Sequence, residues 1–170
     1  TSGRPWLPFR YFREAHAFDL RRGTDTHVRL RKEDFGAEPP GFADGTFYMA
    51  SWTGEIDWAF HETRALLGAE FDTFAFVDVG CGKGKAVLRW TELRARAGSA
   101  QRVAGFDYHE PLVAIARRNH AKLFATPGHL TVAGADDFDF GPPGGRVLCY
   151  LYNPFGPALM RRFLERLRGH

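Results

Sequence analysis

Hydrophobic and polar positions change character at about residue 50 of this chain. Up to about residue 47, aromatic and arginine residues are interrupted by Gly and Pro without a sustained period. Arg10–Leu20 is long enough for one short helix, and Glu33–Gly45, with Pro39-Pro40-Gly41 inside it, reads as a loop. From Ser51 onward Ile56, Ala59, Phe60, Thr63 and Leu67 recur at helical spacing, and Gly68 stands where a C-cap belongs. Strand-like and helix-like segments then alternate. Phe74–Val79 is followed by a helix over Lys85–Arg96, Arg102–Asp107 by one over Pro111–Leu123, with Pro111 suited to a first turn. Leu130–Ala133 and Val147–Tyr152 complete four strands, and Pro157–Leu167 sets Leu159, Phe163 and Leu167 on one stripe opposite arginines. This order predicts an α/β fold with a doubly wound, mostly parallel sheet. The chain divides into an N-terminal cap or lid, residues 1–70 with one helix, and a ligand-binding domain, residues 71–170.

Composition narrows the class. A chain of 170 residues with 44% apolar and 15% aromatic residues is one domain's worth of polypeptide with enough to bury. No stretch reaches the roughly 18 apolar residues of a membrane helix. Thr1–Arg31 is dotted with arginines and has no apolar block, unlike a secretory signal. Cys81 and Cys149 lack metal-like or redox-like spacing and read as reduced thiols of a cytoplasmic protein. The net charge of +3 is matched by the last ten residues alone, where Arg161, Arg162, Arg166 and Arg168 stand against Glu165. The pI near 9.1 is therefore weak support for a nucleic-acid partner.

The segment TFAFVDVGCGKGK, Thr73–Lys85, carries most of the chemistry. Gly80, Gly82 and Gly84 lack Cβ atoms, so the loop can turn sharply and bring its backbone, Cys81 included, against a ligand. The helix behind it offers unpaired N–H groups to polar or negative ligand atoms, and Asp78 precedes the first glycine by two residues. Strand, glycine loop and helix in that order predict a nucleoside-bearing cofactor rather than a plain turn. A nicotinamide fingerprint, G-x-G-x-x-G, would need its third glycine at Lys85. Asp107 ends the second strand, where a carboxylate accepts ribose hydroxyls. Asp136 follows the third strand and is placed for an adenine amino group, with Phe138 or Tyr108 flanking the ring; Asp137 and Asp139 leave that choice open. The turn Asn153-Pro154-Phe155 ends the fourth strand with a carbonyl-rich, proline-stiffened corner beside the reactive end of the ligand. Tyr48 and Trp52 are placed to close over it. His61 and His109 read as surface or capping residues, because neither has a paired acid. The run Trp6, Phe9, Tyr11, Phe12 and Phe18, interleaved with Arg4, Arg10 and Arg13, fits either a stacking surface for single-stranded nucleic acid or a cap packed on the sheet, the latter favoured.

The series FVDVGCGKG, AGFD, GADDF and LYNPFG, between Phe71 and Gly156, resembles motifs one to four of the class I S-adenosylmethionine-dependent methyltransferases, and FDLRRGTDT and GTFYMAS are similar to a poorly characterised bacterial group of them. The resemblance implies a Rossmann-like fold and S-adenosylmethionine as cofactor. Gly80, Gly82 and Gly84 would pass its methionine moiety, Asp78 anchor the amino group, Asp107 hold the ribose and Asp136 the adenine. Asn153-Pro154-Phe155 is similar to the Asn/Asp-Pro-Pro-aromatic turn that positions amine nucleophiles, with one proline fewer. The implied activity is methyl transfer to an N or O nucleophile of an unidentified acceptor, small molecule or protein, with nucleic acid less favoured and no membrane partner. Two alternatives stand beside it, a non-catalytic cofactor-binding or interaction module and, less favoured, a nicotinamide-dependent oxidoreductase. The resembled family has seven strands and four are legible here. The fourth belongs in the interior of that sheet, so the expectation is a chain cut after the fourth crossover helix, with an exposed strand through which copies could associate.

Overall fold

The computed structural model describes residues 6–27, 29–31 and 48–170. The loop expected over Glu33–Gly45 lies outside them. Its first elements are α1 (Leu7–Ala15) and α2 (Ala17–Arg22), separated at His16, whose φ of −105° breaks the helical run. Gly23, in the left-handed region at φ 65°, ends α2. The single helix expected over Arg10–Leu20 is thus two. A short antiparallel pair follows, β1 (Arg29–Leu30) with β2 (Tyr48–Met49). Helix α3 (Thr53–Leu67) stops at Gly68, φ 53°, and a 3-10 turn, Gly68–Thr73, leads into the sheet. The segment up to residue 70 therefore holds three α-helices among its described residues, not one.

The rest alternates as expected: β3 (Ala75–Val79), α4 (Lys85–Arg96), β4 (Val103–Asp107), α5 (Glu110–Phe124), β5 (His129–Val132), β6 (Val147–Leu151) and α6 (Pro157–Gly169). All four long strands are parallel, in the order β5-β4-β3-β6, with Val77 facing Ala104 on one side and Cys149 on the other. The fold is a Rossmann-like α/β sheet. Strand periodicity sends alternate residues of β3 to opposite faces. Phe76 stacks on Trp90 of α4 at 3.9 Å between ring centroids, in a core shared with Ile56 and Phe60 of α3 and Val113 of α5. Val77 and Val79 point the other way, to Phe106, Phe138 and the α6 residues Leu159 and Phe163. Burial on both faces is why β3 and β4 are almost unbroken in apolar residues. The polar groups in this core are satisfied: Trp90 Nε1 donates to Gln101 Oε1 at 2.7 Å, and Gln101 Nε2 donates to the Phe71 carbonyl at 3.2 Å.

Successive connections run outward from β3 to β4 and β5, then return to the other side of β3 for β6. The winding reverses between β3 and β6, and the loops after those two strands flank the crevice such a reversal leaves. Among the described residues β6 pairs only with β3, and its five residues are half-buried. No other described strand lies beside it, so β6 is an edge of the sheet, as expected for a sheet without the last strands of the resembled fold. Nothing supports its use in self-association. No helix among the described residues is long and apolar enough to cross a membrane.

Candidate functional site

The site is built where β3 runs into α4. Gly80, Gly82 and Gly84 all have positive φ, at 75°, 50° and 85°, a region in which a side chain is strained. Space forbids one as well. A Cβ on Gly80 would lie 2.9 Å from Pro154 Cβ, and one on Gly84 would lie 3.0 Å from Ala116 Cβ of α5. The loop is fixed to the neighbouring strand by the Gly80 and Cys81 N–H groups, which both donate to the Phe106 carbonyl, at 3.0 and 2.8 Å.

Asp107, at the end of β4, holds the same loop. Its Oδ2 accepts the Gly82 N–H and its Oδ1 accepts the His109 N–H, each at 2.9 Å. Burial pushes this carboxyl up, opposed by those two bonds. Asp78, on β3 and 5% exposed, is pushed up to about 8 by burial and by the charge of Asp107. Burial and the two acids also raise the Cys81 thiol, which sits under the loop as an apolar filler.

The N-terminal segment closes over this end. The ring of Tyr48 lies directly on Gly82, where a Cβ would overlap it, and its hydroxyl donates to the Thr26 carbonyl at 2.6 Å. The strap that carries Thr26 is ordered by Asp19, whose carboxylate accepts from the Thr24 and Thr26 hydroxyls and from the Thr26 and His27 N–H groups at 2.6–2.9 Å. Lys83 of the glycine loop pairs with Asp25 at 2.7 Å. Asn119 of α5 ties both together, accepting the Asp25 N–H and donating to the Asp25 and Lys83 carbonyls at 3.0–3.2 Å. Lys85, the first residue of α4, donates to the Glu14 carbonyl at 2.7 Å, and burial lowers its ammonium to about 8. The cavity left beneath this cover is about 20 Å³, with Tyr48, Ser51, Asp78, Gly80, Lys85 and Tyr152 in its walls.

The remaining predicted residues divide. Asn153 has a positive φ of 50°, unusual for a residue with a side chain, and this bend drops Pro154 onto Gly80. Phe155 turns away and packs on Phe163, 5.7 Å between centroids. Tyr108 is half-buried beside Asp107, and its hydroxyl is buried without a hydrogen-bond partner among the described residues. Phe138 does not flank the crevice: it stacks on Phe106 at 4.2 Å inside the core. Asp136 is exposed and held by Arg162 at 3.1 Å, while Asp137 is exposed with its N–H on the Gly134 carbonyl. Trp52 lies away from the cavity, under Arg10 at 5.0 Å. His109 supports the loop through its backbone N–H, which donates to Asp107. Lys83, Asp25 and Asn119 were not anticipated. The pattern Asp19 to Thr24-Asp25-Thr26 carried a signal for the strap, since Asp and Thr side chains close local turns, but Asn119 lies 94 residues from Asp25 and had none.

No protein-family model matches this chain, and no curated protein matches it significantly. Among solved structures it is similar to the magnesium protoporphyrin IX methyltransferase of Synechocystis PCC 6803 with bound SAM, at 16% identity over 84% of this chain and 60% of that one, TM-score 0.37. It is similar to the geranyl diphosphate C-methyltransferase of Streptomyces coelicolor A3(2), in complex with Mg2+, geranyl diphosphate and S-adenosyl-L-homocysteine, at 15% identity over 88% and 55%, TM-score 0.42. The plantazolicin methyltransferase in complex with SAH matches at 16% over 68% and 46%, TM-score 0.38. The chain spans 46–60% of the length of these proteins. At so low an identity and TM-score, the reading of the site rests on the geometry of this chain itself.

Proposed function

We propose that this chain binds S-adenosylmethionine and transfers its methyl group to an N or O nucleophile of an unidentified small-molecule or protein acceptor. The observation that carries this reading is the junction at the winding reversal. Three left-handed glycines lead into α4, Asp107 grips the middle one through its N–H, and the Asn153–Pro154 corner closes on the first. In this reading residues 1–70 are the cap and 71–170 the cofactor domain.

The donor set fits the ligand. Open N–H groups at the start of α4 and the glycine backbone suit its amino-acid end, with Cys81 under the loop and Asp78 beside the ammonium. Asp107 uses one lone pair of each oxygen on the protein and keeps the others for ribose hydroxyls. The unpartnered Tyr108 hydroxyl, with Asp136 or Asp137, serves the adenine end. The space does not fit as it stands, because Tyr48 covers Gly82 and only about 20 Å³ is left. Entry therefore requires Tyr48 to swing off the loop, after which it closes on the bound ligand. The cofactor supplies a carbon already activated by a sulfonium. The protein has to align the acceptor at the Asn153–Pro154 carbonyls, with Phe155 anchoring that turn from the core, and to keep water out. No strong general base is needed for this, and no histidine is paired with an acid in the cavity wall.

The small cavity favours a second reading, a cofactor-binding module without catalysis. Calorimetry with S-adenosylhomocysteine gives heat under both readings. Release of S-adenosylhomocysteine from S-adenosylmethionine, with amines, phenols and peptides as acceptors, occurs only under the first. Absence of both heat and thermal protection, in the wild type and in Tyr48→Ala, would remove the cofactor assignment; protection by NAD instead would favour an oxidoreductase.

A further inference from the structure

We propose that the groove between α2, α3 and α4, with the aromatic face beside it, binds single-stranded nucleic acid. The groove is about 650 Å³ and lies on the α4 side of the sheet, floored by Ala17 and Phe18. A second hollow of about 320 Å³, between Arg10, Trp52 and Trp58, continues it and shares Arg13, Glu14 and Gly54. Six arginines line the two against four carboxylates.

Their pairing is uneven. Arg22 and Arg89 are consumed by Glu92 and Asp57, with Arg22 Nη2 to Glu92 Oε2 at 2.6 Å and Arg89 Nη2 to Asp57 Oδ2 at 2.8 Å. Arg21 and Arg96 on the rim are exposed and have no ion-pair partner among the described residues. Among the described residues the Arg10 guanidinium meets only the Trp52 ring. These three guanidinium groups present the planar fork that matches phosphate oxygens.

The aromatics supply the other half. Phe18 enters the core, 2% exposed, but Trp58 in the wall of the second hollow stands 66% exposed, and Phe9, one helical turn before Arg13 on α1, stands 70% exposed. Large rings held in water beside unpaired guanidinium groups suit bases that stack and phosphates that pair. A duplex hides its base faces, and an acidic peptide has no rings to stack, so a single strand answers both features.

Such binding needs neither cofactor nor methyl transfer, so a titration tests it apart from the crevice over Gly82. A labelled oligothymidylate of roughly twelve nucleotides is followed by fluorescence anisotropy. With three phosphates engaged, affinity falls about twenty-fold between about 50 and about 200 mM KCl. Arg21→Glu with Arg96→Glu flattens that salt slope from about 2.1 to about 0.7, and Phe9→Ala with Trp58→Ala weakens binding about thirtyfold or more. Arg161→Glu with Arg168→Glu, the same charge change on α6 across the sheet, leaves binding unchanged. Loss of equal size in that control, equal affinity for duplex or polyglutamate, or no anisotropy change at low salt overturns the proposal. Circular dichroism melts confirm that each variant is folded.

Discussion

The ring of Tyr48 occupies the space in which a side chain on Gly82 would stand, and its hydroxyl is held by the Thr26 carbonyl 22 residues earlier. Cover and cofactor loop are thus one packed unit, and ligand entry competes with a protein contact. Tyr48→Ala should speed association of S-adenosylhomocysteine, and Tyr48→Phe, which loses only the hydrogen bond of about 1 kcal/mol, should act in the same direction to a smaller extent. Stopped-flow fluorescence of Trp52, on the α3 side of the cover, reads the rate. Slower association in Tyr48→Ala would mean that the ring guides the ligand in rather than blocking it.

Asp107 serves two backbone donors that are otherwise buried without a partner. Asp107→Ala should cost about 1–3 kcal/mol for each N–H left unpaired, lowering the melting temperature by roughly 2–4 °C per kcal/mol for a chain of this size. Asp107→Asn, which keeps an acceptor oxygen, should lose less. Affinity for S-adenosylhomocysteine should fall in Asp107→Ala by about 1–3 kcal/mol as the ribose hydroxyls lose their acceptor. An alanine variant that melts lower but binds unchanged would confine this residue to holding the loop.

Two buried groups give stability opposite slopes with pH. Asp78 ionises near 3.8 when unfolded and near 8 when folded, so between these values the unfolded chain holds fewer protons and stability falls as pH rises. Lys85 loses its proton near 8 when folded and near 10.5 when unfolded, so above 8 the unfolded chain holds more protons and stability rises. Urea midpoints should fall as pH rises towards 8, with Asp107, also raised by burial, adding to the fall. Lys85 opposes further loss just above 8, and above about 9 the Cys81 and Cys149 thiols, both raised by burial, pull stability down again. Asp78→Asn should make the fall below pH 8 shallower, and Lys85→Met should steepen the loss just above it. A fall of unchanged steepness in Asp78→Asn would assign it to another group.

Glu14 fastens α1 to the domain. Its Oε2 accepts the Gly54 N–H at 2.8 Å in the first turn of α3, and its carbonyl accepts Lys85 Nζ. Glu14→Ala should cost about 1 kcal/mol, as loss of a helix N-terminal acceptor does, and should speed trypsin cleavage after Arg10 and Arg13 as α1 opens locally. Glu14→Gln retains an acceptor and should resist cleavage almost as wild type does. Equal cleavage in Ala and wild type would show that α1 is held by its apolar contacts alone.

The alternation of apolar runs fixed the elements from β3 to α6 to within two residues at each end, because the central strands β3 and β4 are covered on both faces and must be almost wholly apolar, with helical spacing between the strands. Gly80, Gly82 and Gly84 were legible as a loop for the same kind of local reason: left-handed backbone and close approach admit little else. What lies between distant segments was not legible. The sequence places Tyr48 ahead of α3 but cannot say that its ring rests on Gly82, nor that Asn119 ties Asp25 to Lys83, since these contacts join segments up to 94 residues apart. The N-terminal aromatics follow the same division. Composition makes Phe9 and Phe18 alike, and only packing decides that Phe18 is buried under α4 while Phe9 stays in water. Periodicity is a property of neighbours in the chain, and burial is set by whatever the fold brings alongside.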